Sequence, residues 1–281
     1  MLAILGGLGA ALAWATTTLA ASRASRLIDI RSLLASVMLV GLLVAAPAAV
    51  IAGVPPALDA HSLAWMAVSG AGNVVGLLFT YAALQIGKVG LVAPITSTEG
   101  AVAAVIAVVL GERLAPGSGV TLVAIAVGVS LAAVSQGGEE VRRSDLRVIM
   151  LAAGAALSFG FGLYATGRVG EDLGIAWAVL PPRVVGVVAI AIPLALTRRW
   201  RMRRTAVPYV VVAGLCEVLG FASYAVGARH GLAVSAVLAS QFAAIAAVVG
   251  YLAFHERLAP IQVTGIVTIV VGVSVLSALQ A

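Results

Sequence analysis

Two carboxylates stand in this chain where carboxylates are costly. Glu99 lies in Pro94-Ile95-Thr96-Ser97-Thr98-Glu99-Gly100 and Glu217 in Cys216-Glu217-Val218, each midway along an apolar run. An ionised side chain at the centre of a bilayer costs about 2.5–3.5 kcal/mol on insertion scales, so such a group normally faces an interior cavity and marks a solute pathway or a proton relay. The alternative is a neutral carboxyl hydrogen-bonded among packed helices. Arg183 is the third charged group of this kind, directly after Pro181-Pro182. Paired prolines remove backbone donors, and carbonyls freed at membrane depth are tolerated only beside a cavity or a protein partner. Arg183 therefore suits a carboxylate-bearing solute, an ion pair with Glu99 or Glu217, or a snorkelling position at the interface.

Uncharged polar groups cluster around these positions. Thr96, Ser97 and Thr98 precede Glu99, placed either to line a site or to bond back to their own helix. Ser240 and Gln241 form a similar window near the C-terminus, and Asn73 sits alone in an apolar segment. Trp14, Tyr81, Phe159 and Tyr224 are candidate aromatic walls, with Tyr164, Trp177 and Phe242 as further aromatics that more simply pack or mark the interface. Trp65 and Trp200 lie near the ends of apolar runs and read as interface anchors.

Other chemistry is set aside on the same residues. No Gly-x-x-x-x-Gly-Lys-[Ser/Thr] loop is present for nucleotide phosphates. Gly70-x-Gly72, Gly72-x-x-x-Gly76 and Gly160-x-Gly162 fall inside apolar runs, where small residues allow helices to approach closely. His61, His230 and His255 are scattered, and Cys216 is the single cysteine, so neither a metal set nor a disulfide framework is expected. With no convergent nucleophile, base and orienting group, the sequence reads as a non-enzyme without cofactor or metal.

The elements that must position these residues are membrane helices. Of the 281 residues 62% are apolar and 10% charged, and the mean hydropathy is +1.14. A soluble domain has about 25% charged residues; this much apolar surface calls for lipid. A net charge of +6 with a pI of about 10.2 does not indicate nucleic acid, because the arginines sit in short connections between apolar runs. Runs long enough to span the hydrocarbon core lie near 2–21, 33–53, 62–86, 89–111, 117–135, 147–167, 175–197, 206–228, 232–254 and 260–279. The expectation is an all-α integral membrane protein of about ten transmembrane helices. Ala20-Ala21-Ser22 resembles a signal cleavage site, but no basic segment precedes it, so the first run reads as a retained helix.

The chain repeats itself. An offset of 144 (256 − 112) superposes Glu112-Arg113-Leu114-Ala115-Pro116 on Glu256-Arg257-Leu258-Ala259-Pro260, and also Gly76 on Gly220, Asn73 on Glu217, and Thr96-Ser97 on Ser240-Gln241. An offset of 145 places Trp14 on Phe159 and Gly9-Ala10-Ala11-Leu12 on Gly154-Ala155-Ala156-Leu157. Two five-helix repeats, 1–137 and 146–281, follow. An odd number of spans per repeat makes the second enter the membrane from the opposite side, the inverted plan that places a solute site between the halves. Most basic residues, including Arg23, Arg26, Arg31 and the cluster Arg198 to Arg204, follow odd-numbered runs. The positive-inside rule then puts both termini outside the cytoplasm. Glu112, Arg113, Glu256 and Arg257 sit where the chain leaves the apolar layer and read as structural: the carboxylates accept amides at the start of the following helix and the arginines cap carbonyls or snorkel.

Two repeats with glycines at Gly87 and Gly231, the motif Gly111-Glu112-Arg113-Leu114 echoed by His255-Glu256-Arg257-Leu258, and Gly128 and Gly272 one helix later resemble the EamA-like proteins of the drug/metabolite transporter superfamily. The chain departs from that family's pattern at Leu238, which stands where the first repeat has Pro94, and in its oppositely placed basic loops. The resemblance implies a secondary carrier whose third, fourth, eighth and ninth helices line the cavity. It further implies transport of a small metabolite or amino acid by alternating access, with efflux by proton antiport as the expected mode. Alternatives are efflux of lipophilic cationic drugs, or a channel or uniporter without proton coupling. The expected partners are the bilayer of the inner (plasma) membrane, protons and a small solute, for a monomer or homodimer.

Overall fold

The computed structural model describes residues 1–86, 92, 95–113, 116–132, 143–242, 244–245 and 260–279. Every regular element among them is helical. In chain order they are α1 (Leu2–Ala24), α2 (Ile30–Ala52), α3 (Ala60–Ile86), α4 (Glu99–Val109), α5 (Ser118–Ala132), α6 (Arg143–Leu173), α7 (Ile175–Leu196), α8 (Val207–Ala228), α9 (Leu232–Ala239) and α10 (Pro260–Leu279). Among the described residues six helices, α1, α2, α3, α6, α7 and α8, are long and apolar enough to cross a membrane, and α4 and most of α5 are shorter apolar helices. Large apolar side chains such as Leu43, Val50, Ile51, Leu157 and Leu196 are exposed on the outside. A surface of this kind is stable only against lipid, so the protein is a multi-pass membrane protein.

Local signals set the helix ends. Asp29 Oδ1 accepts the Ser32 amide at 3.0 Å and opens α2; Asp59 Oδ1 accepts the Ser62 amide at 2.8 Å and opens α3. Each satisfies one amide that the first turn of a helix leaves without a partner. That bond holds the Asp59 carboxyl below the usual carboxylate range. Helix α6 runs further than apolarity alone suggests. It starts at Arg143 and continues through Arg168 to Leu173, where a connection was expected. The added turn is held by Arg168, whose Nη1 lies 2.8 Å from Glu171 and Nη2 3.9 Å from Asp172. Charged residues above the apolar layer stay helical through such i,i+3 and i,i+4 pairs, until Gly174 at φ 91° turns the chain into α7.

The fourth and ninth runs are not continuous helices, which corrects the reading from hydropathy. At Ser97–Thr98 and again at Ser240–Gln241 the helix tightens into a turn. The Thr98 amide bonds to Ile95 O at 3.2 Å and the Gln241 amide to Leu238 O at 3.1 Å, each to the carbonyl three residues back. Hydroxyls cause this: Thr98 donates to Ile95 O at 2.7 Å and Ser240 to Val237 O at 2.7 Å. Side-chain bonding of this sort competes with the helical ladder. Glu99 thereby becomes the first residue of a new helix. In α7, Pro181-Pro182 leave the helix unbroken at their own position, and a π-turn at Val187–Ala191 follows one turn later.

Packing pairs elements of one half with elements of the other. Helix α1 lies on α8 and α3 on α6; α2 lies on α7, α4 on α9, and α5 on α10. Exchanging the halves maps this set of pairs onto itself. The detail repeats as well: the Trp14 indole lies against Gly220, and the Phe159 ring against Gly76. A side chain on either glycine would occupy the ring's place. Small residues at these crossings, among them Ala10, Ala11, Ala155 and Ala156, are buried, as expected where close van der Waals approach drives helix association in lipid.

Candidate functional site

A cavity of about 780 Å³, part of it open, lies where α1, α3, α4, α6 and α8 converge. Helical spacing lines it. Trp14, Thr17, Thr18 and Ala21 form one stripe of α1, and Asn73, Leu77, Thr80, Tyr81 and Leu84 form one stripe of α3. The walls are completed by Thr96 and Glu99, by Phe159, Gly162 and Leu163 from α6, by Glu217 and Phe221 from α8, and by Phe242.

Of the residues singled out in the sequence, Trp14, Asn73, Tyr81, Thr96, Glu99, Phe159 and Glu217 meet in this cavity. Arg183, Thr98, Ser97, Ser240, Gln241 and Tyr224 are not in its lining. Thr96 donates to Val92 O at 2.9 Å and so serves its own helix while flanking the cavity. Ser240 Oγ lies against Gly100 and Gln241 donates to Val237 O at 3.3 Å, which makes this window part of the α4–α9 contact and not a cavity floor. Tyr224 is fully buried and donates its hydroxyl to Leu163 O at 2.9 Å, tying α8 to α6. Tyr164 packs edge-on against Trp65, and Trp177 donates to Gly53 O at 2.9 Å.

Arg183 resolves one alternative left open by the sequence. Its Nη2 donates to Glu217 Oε2 at 3.3 Å, both side chains being buried, and its guanidinium lies 4.4 Å from the centroid of the Phe221 ring. Glu217 therefore shares its charge with Arg183, whereas Glu99 has no ion pair among the described residues. Among the described residues, four buried polar atoms of the cavity lining have no partner: Trp14 Nε1, Asn73 Oδ1, Thr80 Oγ1 and Tyr81 Oη. Buried polar atoms are costly when unsatisfied, so this set, holding donors and acceptors around one carboxyl, suits a polar solute or the water it displaces.

Thr17, Thr18, Thr80 and Phe221 were not singled out beforehand. Their signal was present: Thr17 and Thr18 follow Trp14 at i+3 and i+4, Thr80 follows Asn73 at i+7, and Phe221 follows Glu217 at i+4. Glu112 departs from expectation in a different way. Its two carboxylate oxygens accept the amide of Ala233, at 3.2 and 3.0 Å, at the start of α9 in the other half instead of capping the helix that follows it. Arg113 is exposed on the same turn; Glu256 and Arg257 lie outside the described residues.

The comparisons agree with this architecture. The family model of the EamA-like transporter family matches the chain twice, over residues 1–134 and 146–278. No curated protein matches it. A crystal structure of a protein 19% identical to this chain covers 99% of it, and is itself covered over 96% of its length, with a TM-score of 0.78; at that identity the likeness speaks for the fold. Matched over nearly its whole length, the chain belongs to the EamA-like transporter family and is a membrane transporter of the drug/metabolite type.

Proposed function

We propose that the protein is a secondary active carrier exporting a small amine-bearing solute, an amino acid or related metabolite, in exchange for a proton held by Glu99. The observation that carries this reading is the unpaired Glu99 carboxyl in a cavity between the halves, beside the unpartnered Trp14, Asn73, Thr80 and Tyr81 atoms. A carboxyl that either holds a proton or faces an ammonium couples the two by mutual exclusion, because a second positive charge in one buried site is repelled. Alternating access follows from the inverted arrangement of the repeats, 1–137 and 146–281, with rocking of one half against the other around the cavity. The exchange symmetry of the helix contacts supports that arrangement. So does the contact of the connection between α7 and α8 with the start of α2: Trp200 donates to Ser36 Oγ at 3.0 Å and the Arg201 amide to Ser32 Oγ at 2.9 Å.

The basic clusters around Arg26 and Arg201 thus share one face, which the positive-inside rule assigns to the cytoplasm of an inner (plasma) membrane protein with both termini outside. Labelling of single cysteines in a Cys216→Ser background checks this. Arg26→Cys is expected to be shielded from an impermeant maleimide added to intact cells and His230→Cys to react; the reverse pattern inverts the assignment. A second substrate reading, a lipophilic cation, is favoured by the rings of Trp14, Tyr81, Phe159, Phe221 and Phe242 on the cavity wall.

The test is proton release from detergent-purified protein on addition of amino acids and lipophilic cations, compared between wild type, Glu99→Gln and Glu217→Gln. Release is expected in wild type and absent in Glu99→Gln. Solute binding without release in all three proteins would exclude Glu99 as the coupling group.

A further inference from the structure

The Arg183–Glu217 ion pair occurs once, although the frame that holds it occurs twice. At the repeat offsets of 145 and 144, Arg183 falls on Met38 (183 − 145) and Glu217 on Asn73 (217 − 144). The packing repeats with them. Gly41 leaves room for the Arg183 stem, since a Cβ there would lie 3.0 Å from Arg183 Cγ and 3.2 Å from its Nε. Gly186, the repeat mate of Gly41 (186 − 145), leaves the same room for Met38. A frame that accommodates methionine and an amide in one half does not require charges in the other for packing. Buried ion pairs are also weak stabilisers compared with apolar residues of similar volume.

What the pair alters is the charge that a solute meets. Glu99 and Glu217 both line the cavity. Arg183 stands behind Glu217, fully buried, with Nε and Nη1 unpartnered and Nη2 on the Glu217 carboxylate. Among the described residues, the other titratable groups in electrostatic reach of Glu217 are Glu99 from α4, Tyr81 from α3 and Cys216 on its own helix. None of these supplies a positive charge. We propose that Arg183 is a specificity-determining residue: it is the built-in counter-ion of Glu217, so that the cavity presents one free carboxyl, Glu99, and takes a solute bearing a single positive charge. This rests on the carrier reading for its solute, but not for its count of carboxyls.

Removal of Arg183 alone leaves two unpaired carboxyls in one cavity. Removal of both partners as Arg183→Met/Glu217→Asn copies the first half and returns the count to one. Infrared difference spectra of the purified protein in lipid, between acidic and alkaline buffer, count carboxyls that change protonation without any solute. Relative to wild type, Glu99→Gln is expected to lose one carboxylic C=O band. Arg183→Met is expected to gain one, which the double variant loses again. Binding of tetraphenylphosphonium, with one charge, and methyl viologen, with two, gives the specificity readout. Arg183→Met is expected to shift the preference toward viologen by about tenfold or more, and the double variant to restore wild-type preference.

An Arg183→Met protein with the wild-type band count and preference would overturn the proposal. So would a double variant, folded as judged by thermal melting, that departs from wild type in either readout. If Arg183→Met does not fold, agreement of the double variant with wild type in both readouts still supports the counter-ion role. The expected bands without binding of either probe would uphold the counter-ion and count against the lipophilic-cation reading alone.

Discussion

At the scale of residues, position along the helix separated the cavity-facing side chains from the rest. Asn73 and Glu217 share a repeat position and both reach the cavity, but Tyr224, two turns beyond Glu217, faces the α6–α8 contact. Tyr224→Phe removes one hydroxyl bond to Leu163 O from a fully buried site. Its expected cost is about 1 kcal/mol, read as a lowered melting temperature in detergent with solute affinity unchanged. A large loss of affinity at unchanged stability would instead place Tyr224 in the solute's path. The acids were legible in the sequence because a charged residue inside an apolar run is costly enough to need a reason. Thr17, Thr18 and Thr80 were not singled out, since a hydroxyl in a membrane helix can bond to the preceding turn whether or not it faces a cavity. Thr18 does both: it lines the cavity and donates to Trp14 O at 2.8 Å.

At the scale of elements, hydropathy located the runs but not their interruptions. Apolarity is blind to an i−3 bond of the kind made at Thr98 and at Gln241. The partner of Glu112 was equally hidden, because a cap on the neighbouring helix and a cap on α9 in the other half have the same local sequence. That contact carries a pH dependence. Burial raises the Glu112 carboxyl above its ordinary value of 4.5, against the opposing pull of the Ala233 and Leu232 amides. The folded protein therefore holds this proton more tightly than the unfolded chain does. The stability contribution is full below the ordinary value and is lost as pH rises through the raised one. Glu112→Gln, which keeps an acceptor for Ala233, is expected to abolish this component of the pH–melting profile. Glu112→Ala is expected to lose the cap as well, at a cost of about 1 kcal/mol. Identical pH profiles in wild type and Glu112→Gln would mean that the carboxyl does not titrate in this window.

At the scale of the whole molecule, duplication explains both the likeness of the halves and the meaning of their differences. The glycines and small residues at the crossings recur at the repeat offset, and that is why the architecture was readable from one sequence. The charges inside the apolar runs do not recur, and the proposed function rests on these: Glu99 falls on Ala243 (99 + 144), and Arg183 and Glu217 fall on Met38 and Asn73. The most direct measurement of the carrier account is solute flux in proteoliposomes with a pH gradient imposed, using a radiolabelled amino acid identified by proton release. Saturable uptake that follows the gradient, collapses when the gradient is dissipated and is lost in Glu99→Gln is the expected result. Flux that rises linearly with concentration and ignores both the gradient and Glu99→Gln would contradict the account and make the protein a channel.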